Sequence, residues 1–174
     1  AGALAAAKVH VPVAHVEAGL RSFDRRMPEE VNRVLTDHCS DILFCPTATA
    51  VANLAAEGGT AGVHLTGDVM VDALRENLTL AKERSTALTD LGLSSKAYFL
   101  ATVHRAGNTD DPAALRAILE AFALLDAPVV FPVHPRTQKK LAEYGIEPAA
   151  NVRVVEPLPY FDMLAALAGA RAVL

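Results

Sequence analysis

Between His15 and Arg33 the chain reads HVEAGLRSFDRRMPEEVNR, a stretch with four carboxylates, four arginines and one histidine. Carboxylates can move a proton or bind sugar hydroxyls, and arginines can balance an anionic substrate. Glu17 stands at the end of an expected strand and is followed by Gly19 and Arg21. It can act on a substrate, or it can pair with Arg21. Glu29 and Glu30 open an expected helix, where acids are also favoured by the helix dipole, by ~0.3–1 kcal/mol each. Further along, His104 and Arg105 follow the apolar run FLATV and precede Gly107 and Asn108. A histidine at such a position can contact phosphate or exchange a proton near neutral pH. His134 and Arg136 repeat the pattern. His10, His38 and His64 read as structural. No spacing of His, Cys, Asp or Glu suggests a metal site. Neither a dinucleotide fingerprint nor a P-loop is present, and no serine nucleophile elbow is seen. Cys39 and Cys45 fit no redox or zinc spacing and read as buried thiols.

These side chains need elements to aim them. Apolar strand-like runs alternate with helix-like runs along the whole chain. VPVAHVEA, DILFCPT and GVHLTG read as strands, and PEEVNRVLTDHCS, ATAVANLAAEG and DVMVDALRENLTLAKERS as helices. Pro28 suits the first helical position of PEEVNR, as Pro112 does after Asp111. STALTDLGLSSK is polar and contains Gly and Ser, so it reads as a connection. The pattern then restarts with AYFLATVHR, DPAALRAILEAFALL, PVVFPVHP, RTQKKLAEYG, NVRVVEPL, YFDMLAALAGA and RAVL. Alternation of this kind implies parallel sheets covered by helices. The expected division is 1–84, a linker at 85–95, and 96–174. In such sheets ligands bind beyond the carboxyl ends of the strands, where VEAGLRS, VHRAGN, VHPRT and EPLPY all fall.

Composition narrows the classes. Hydrophobic residues make up 52% and charged residues 21%, enough apolar material for a packed core and too little charge for disorder. A net charge of −4 gives no footing for general nucleic-acid binding. No uncharged apolar run is long enough to span a membrane. The chain begins in an Ala-rich run and stops at an apolar strand, which reads as a fragment of a longer protein.

HVEAGLRS, PEEVNR, GDVMVDAL, VHRAGN and FPVHPRT occur in this order over essentially the whole chain. Together they resemble the non-hydrolysing UDP-N-acetylglucosamine 2-epimerases. The resemblance implies a GT-B-like α/β fold with two Rossmann-like parallel-sheet domains, both incomplete here, and a nucleotide sugar in the cleft between them. It implies conversion of UDP-GlcNAc to UDP-ManNAc in the cytoplasm for cell-surface polysaccharide precursors, by elimination of UDP and re-addition. Such a route requires no NAD and no metal. By motif, Glu17, Glu29 and His104 are the implied catalytic residues. Arg21, Arg105, Leu158 and Met163 are implied to bind substrate, Leu158 and Met163 near the uridine. Glu30, Arg105 and His134 resemble residues that hold a second, activating UDP-GlcNAc. A homodimer is implied for the full-length protein, with no nucleic-acid or membrane partner. Three features depart from the family. The family's G-D-T and D-S-G-G motifs are absent from these residues, and Gly107 stands where members often have Glu in H-R-x-E-N. The piece by itself is therefore expected to be inactive. Rival readings are a hydrolysing relative that releases free ManNAc, a GT-B glycosyltransferase, and a non-catalytic UDP-sugar-binding protein.

Overall fold

The computed structural model describes residues 1–174. It separates into two compact units, Ala1–Ala73 and Leu74–Leu174. In the first, helix α1 (Gly2–Lys8) precedes strand β1 (Ala14–Val16), helix α2 (Pro28–His38), strand β2 (Ile42–Cys45), helix α3 (Ala48–Ala56) and strand β3 (Val63–Leu65). The strands form a parallel sheet in the order β1-β2-β3, with His15 opposite Leu43 and Leu43 opposite Val63. Strand residues alternate between faces, so Leu43 and Cys45 turn to one side. There they form a buried cluster with Ala18, Ala50 and Leu54. Thr47 caps α3 by accepting from the Ala50 N–H.

Helix α4 (Val69–Arg84) carries the chain across the division between the units. The second unit then contains helix α5 (Ala87–Asp90), strand β4 (Phe99–Leu100), helix α6 (Ala106–Thr109), helix α7 (Pro112–Ala123), strand β5 (Val129–Pro132), helix α8 (Pro135–Glu143), strand β6 (Val152–Val155), helix α9 (Tyr160–Gly169) and strand β7 (Ala172–Val173). Its sheet is also parallel, in the order β6-β5-β4-β7. Both faces are buried, as near-continuous apolar runs such as PVVFPV require. Phe99, Val129 and Phe131 pack with Leu115, Leu119 and Leu141 on one side. Tyr98, Leu100 and Val130 pack with Ala166 and Ala170 on the other. The Tyr98 hydroxyl donates to the Ala166 carbonyl at 2.6 Å, which satisfies the one polar atom that this aromatic brings inside.

The stretch 85–95, expected to link two domains, is not featureless chain. It holds α5, which packs against α9 and buries Ala87. Leu88, Leu91 and Leu93 lie against the Tyr98 cluster. Its Gly, Ser and Thr content conceals three leucines spaced to reach one surface. Strands β1 and β4 are shorter than the apolar runs that announce them, although single backbone bonds continue past β4, from the Ala101 N–H to the Val130 carbonyl and from the Thr102 N–H to the Leu174 carbonyl.

Candidate functional site

In the first unit, β1 delivers the chain into a loop that runs from Glu17 to Met27 and ends where α2 begins. Met27 is extended at the N-cap and Pro28 takes the first helical position, where its missing N–H costs nothing. Glu29 and Glu30 lie in the first turn of α2. Glu17 is exposed and has a φ of +68°, a left-handed conformation that a non-glycine residue adopts at a cost of roughly 1–3 kcal/mol. Gly19 follows with a φ of +76°, and a Cβ there would run into the Ala50 carbonyl, so only glycine fits. Asn53 donates to the Gly19 carbonyl at 2.9 Å and ties the loop to α3.

Two acids on α2 hold this loop from below. Glu30 is 2% exposed and accepts from the backbone N–H groups of Ser22 and Phe23, both at 2.9 Å. Those donors, with Arg33 at 3.1 Å, hold its carboxyl below the ordinary carboxylate range even though burial opposes the charge. Asp37 is 3% exposed and takes three donors: His15 Nδ1 at 2.5 Å, Arg21 Nη1 at 2.6 Å and the Gly19 N–H at 3.1 Å. Arg21 also reaches Glu57 through Nε and Nη2, at 2.7 and 2.8 Å. Its guanidinium is raised above its ordinary range, first by Glu57 and then by Asp37, against desolvation. Glu57 is lowered in turn, chiefly by Arg21. His38 sits 3.2 Å from the same carboxylate.

The Arg21 side chain, expected to meet substrate, is 1% exposed and engaged by two carboxylates, neither of them Glu17. Glu30, expected at an activator site, has its carboxylate turned to the loop backbone. Glu29 remains exposed at the head of α2. Asp37, Glu57 and His15 were not singled out as site residues. Asp37 had a legible signal: it follows Glu30 by seven residues, so both acids fall on one face of α2.

In the second unit, four of the expected residues line one cavity of about 180 Å³. Thr102, Val103 and His104 come from the chain after β4, and Pro132 and His134 from the end of β5. Pro157 and Leu158 follow β6, and Met163 comes from α9. The cavity therefore lies at the carboxyl ends of three adjacent parallel strands. His134 is also the N-cap of α8, where its Nδ1 accepts from the Arg136 N–H at 3.2 Å. That bond leaves Nε2 as the proton-bearing nitrogen of the neutral ring. Thr137 donates to the Val103 carbonyl at 3.3 Å, and Arg136 pairs with Asp110 at 2.7 Å. These contacts fasten α8 to the turn that carries His104. Arg105 does not line the cavity; it is the exposed N-cap residue of α6. Gly107 has open space around its Cα, so packing does not demand a glycine there.

A family description, UDP-N-acetylglucosamine 2-epimerase, matches residues 1–174. A Methanococcus maripaludis protein named as a UDP-N-acetylglucosamine 2-epimerase homolog is 50% identical over 169 residues, covering 94% of this chain and 47% of that protein. The UDP-2,3-diacetamido-2,3-dideoxy-D-glucuronate 2-epimerase of Pseudomonas aeruginosa is 49% identical over 171 residues, covering 94% of this chain and 46% of its own. The crystal structure of Methanocaldococcus jannaschii UDP-GlcNAc 2-epimerase, in complex with UDP-GlcNAc and UDP, matches with a TM-score of 0.88 at 40% identity. That match covers 99% of this chain and 50% of the crystallised one. The chain thus spans about half the length of the relatives it matches. The GT-B-like α/β class expected from the motifs is the class of these structures.

Proposed function

The chain belongs to the UDP-N-acetylglucosamine 2-epimerase family, and from that premise we propose that the protein inverts C2 of UDP-GlcNAc to give UDP-ManNAc without net hydrolysis. The observation that carries this reading is the likeness, across nearly the whole chain, to an enzyme crystallised with UDP-GlcNAc and UDP.

The chemistry accounts for the residue types. The C2 proton of the sugar is not acidic while the C1–O bond is intact. As that bond breaks, its electron pair leaves with UDP and C1 gains oxocarbenium character. The C2–H pair then forms the C1=C2 double bond of 2-acetamidoglucal, and the proton passes to a carboxylate. In return, a diphosphate oxygen attacks C1 and C2 receives a proton on its opposite face. Two acid/base groups serve the two faces, and Glu17 and Glu29 are the candidates. His104 is assigned to the leaving diphosphate, where charge develops. Leu158 and Met163 offer apolar surface to the uridine. Arg105 and His134 are assigned to a second UDP-GlcNAc that activates a homodimer.

Proton NMR of the full-length protein with UDP-GlcNAc in heavy water tests the reading. UDP-ManNAc with deuterium at C2 is expected, and Glu17→Gln or Glu29→Gln should slow its appearance by about 10²–10⁴-fold. Free ManNAc with UDP would move the protein to the hydrolysing branch. Binding without exchange would leave it a recognition protein.

A second reading concerns the sugar. The Pseudomonas enzyme, at 49% identity, stands level with the Methanococcus protein named as a UDP-N-acetylglucosamine 2-epimerase homolog, at 50%. UDP-2,3-diacetamido-2,3-dideoxy-D-glucuronate undergoes the same C2 chemistry and brings one more carboxylate. Comparing kcat/KM for the two nucleotide sugars decides between them.

A further inference from the structure

Glu17 is held in a conformation that costs energy, yet its side chain makes no hydrogen bond or ion pair of its own. Something else must hold the turn. Asp37 does so from both sides. Its carboxylate receives the His15 side chain two residues before Glu17 and the Gly19 N–H two residues after it. It also receives Arg21, four residues after. All of these bonds lie in the first unit, and the Asp37 side chain is 1% exposed. Both carboxylate oxygens are used, one for His15 and the other for Gly19 and Arg21. The contacts bracket Glu17 and leave it the free member of the turn. A buried acid serving stability alone needs partners, but they need not straddle an exposed carboxylate in the left-handed region.

We infer that Asp37 is a positioning residue, whose bonds to His15, Gly19 and Arg21 fix the direction in which Glu17 presents its carboxylate to the sugar. This rests on the reading of Glu17 as an acid/base group. Glu57 contributes at one remove, by completing the enclosure of Arg21.

The test is a double-substitution cycle in the full-length protein, read as deuterium incorporation at C2 of UDP-GlcNAc. Asp37→Asn keeps the shape of the side chain but cannot accept all three donors. Displacing a reacting group by about 1 Å costs on the order of 100-fold in rate, so a fall in kcat of that size with KM within about twofold is expected. In a Glu17→Gln background the same substitution should change the residual rate little, because the group it positions has gone. An Asp37→Asn protein with unaltered kcat would overturn the inference. So would an equal loss in both backgrounds, which marks a general structural role. If Asp37→Asn does not fold, Glu57→Gln replaces it, with a smaller fall in kcat and the same lack of additivity expected. Failure of the unsubstituted protein to exchange C2 at all would instead remove the assignment of Glu17, and this inference with it.

Discussion

Glu30 shows how a charge can be held inside by backbone donors together with an ion pair. Two backbone N–H groups point at its carboxylate, and Arg33 adds a third contact from the next turn. Its folded-state carboxyl lies below the ordinary value of 4.5. The stabilisation is therefore fully present above that value, and it is lost as pH falls through the lowered folded one. The difference in Tm between the native protein and Glu30→Gln should be largest near neutral pH and shrink progressively below the ordinary carboxyl range. A difference that stays constant down to pH ~3 would mean that Glu30 acts by packing alone. Arg21 behaves otherwise, since its partners Asp37 and Glu57 are 16 and 36 residues away. Its place in the motif could not reveal them. The positions of Glu17, after a strand, and Glu29, at a helix head, were legible from neighbours alone.

At the scale of elements, the carboxyl ends of β4, β5 and β6 deliver His104, His134 and Leu158 to one cavity. The strand-end rule anticipated this from alternation of strand and helix. His134 carries two duties that substitution can separate. As N-cap of α8 it accepts a backbone N–H, and losing a cap costs about 1 kcal/mol. Urea unfolding should show His134→Ala less stable by about that amount and His134→Asn close to native, because asparagine caps well. Both variants lose the imidazole, so both should flatten any sigmoidal dependence of rate on UDP-GlcNAc. Retained sigmoidicity in either would take His134 out of the activator site. Residues 85–95 hold the short helix α5, which packs on α9, and Leu88, Leu91 and Leu93 lie against the Tyr98 cluster. Polar composition describes the exposed side of so short a helix, and a single turn gives too few residues for its period to register.

For the molecule as a whole, the proposed reaction moves a proton and a diphosphate with no net redox change. Exhaustive dialysis against EDTA, followed by charcoal treatment, should leave turnover of the full-length protein unaltered. A loss restored by a divalent ion or by NAD would show that the route is different. No helix is long and apolar enough to cross a membrane, and no group of three or more His, Cys, Asp or Glu side chains is placed to hold a metal. The sequence by itself determined the alternation of elements, the parallel sheets and the residues at their carboxyl ends. Periodicity, caps and strand ends are written within a few residues of one another. The tertiary structure alone decided which carboxylate each cation meets. Asp37 comes to both sides of Glu17 only after the chain has turned back through α2, and the Arg21–Glu57 pair closes only once α3 has packed on the sheet. Such bonds depend on distances that the chain sets by folding, so no local pattern carries them.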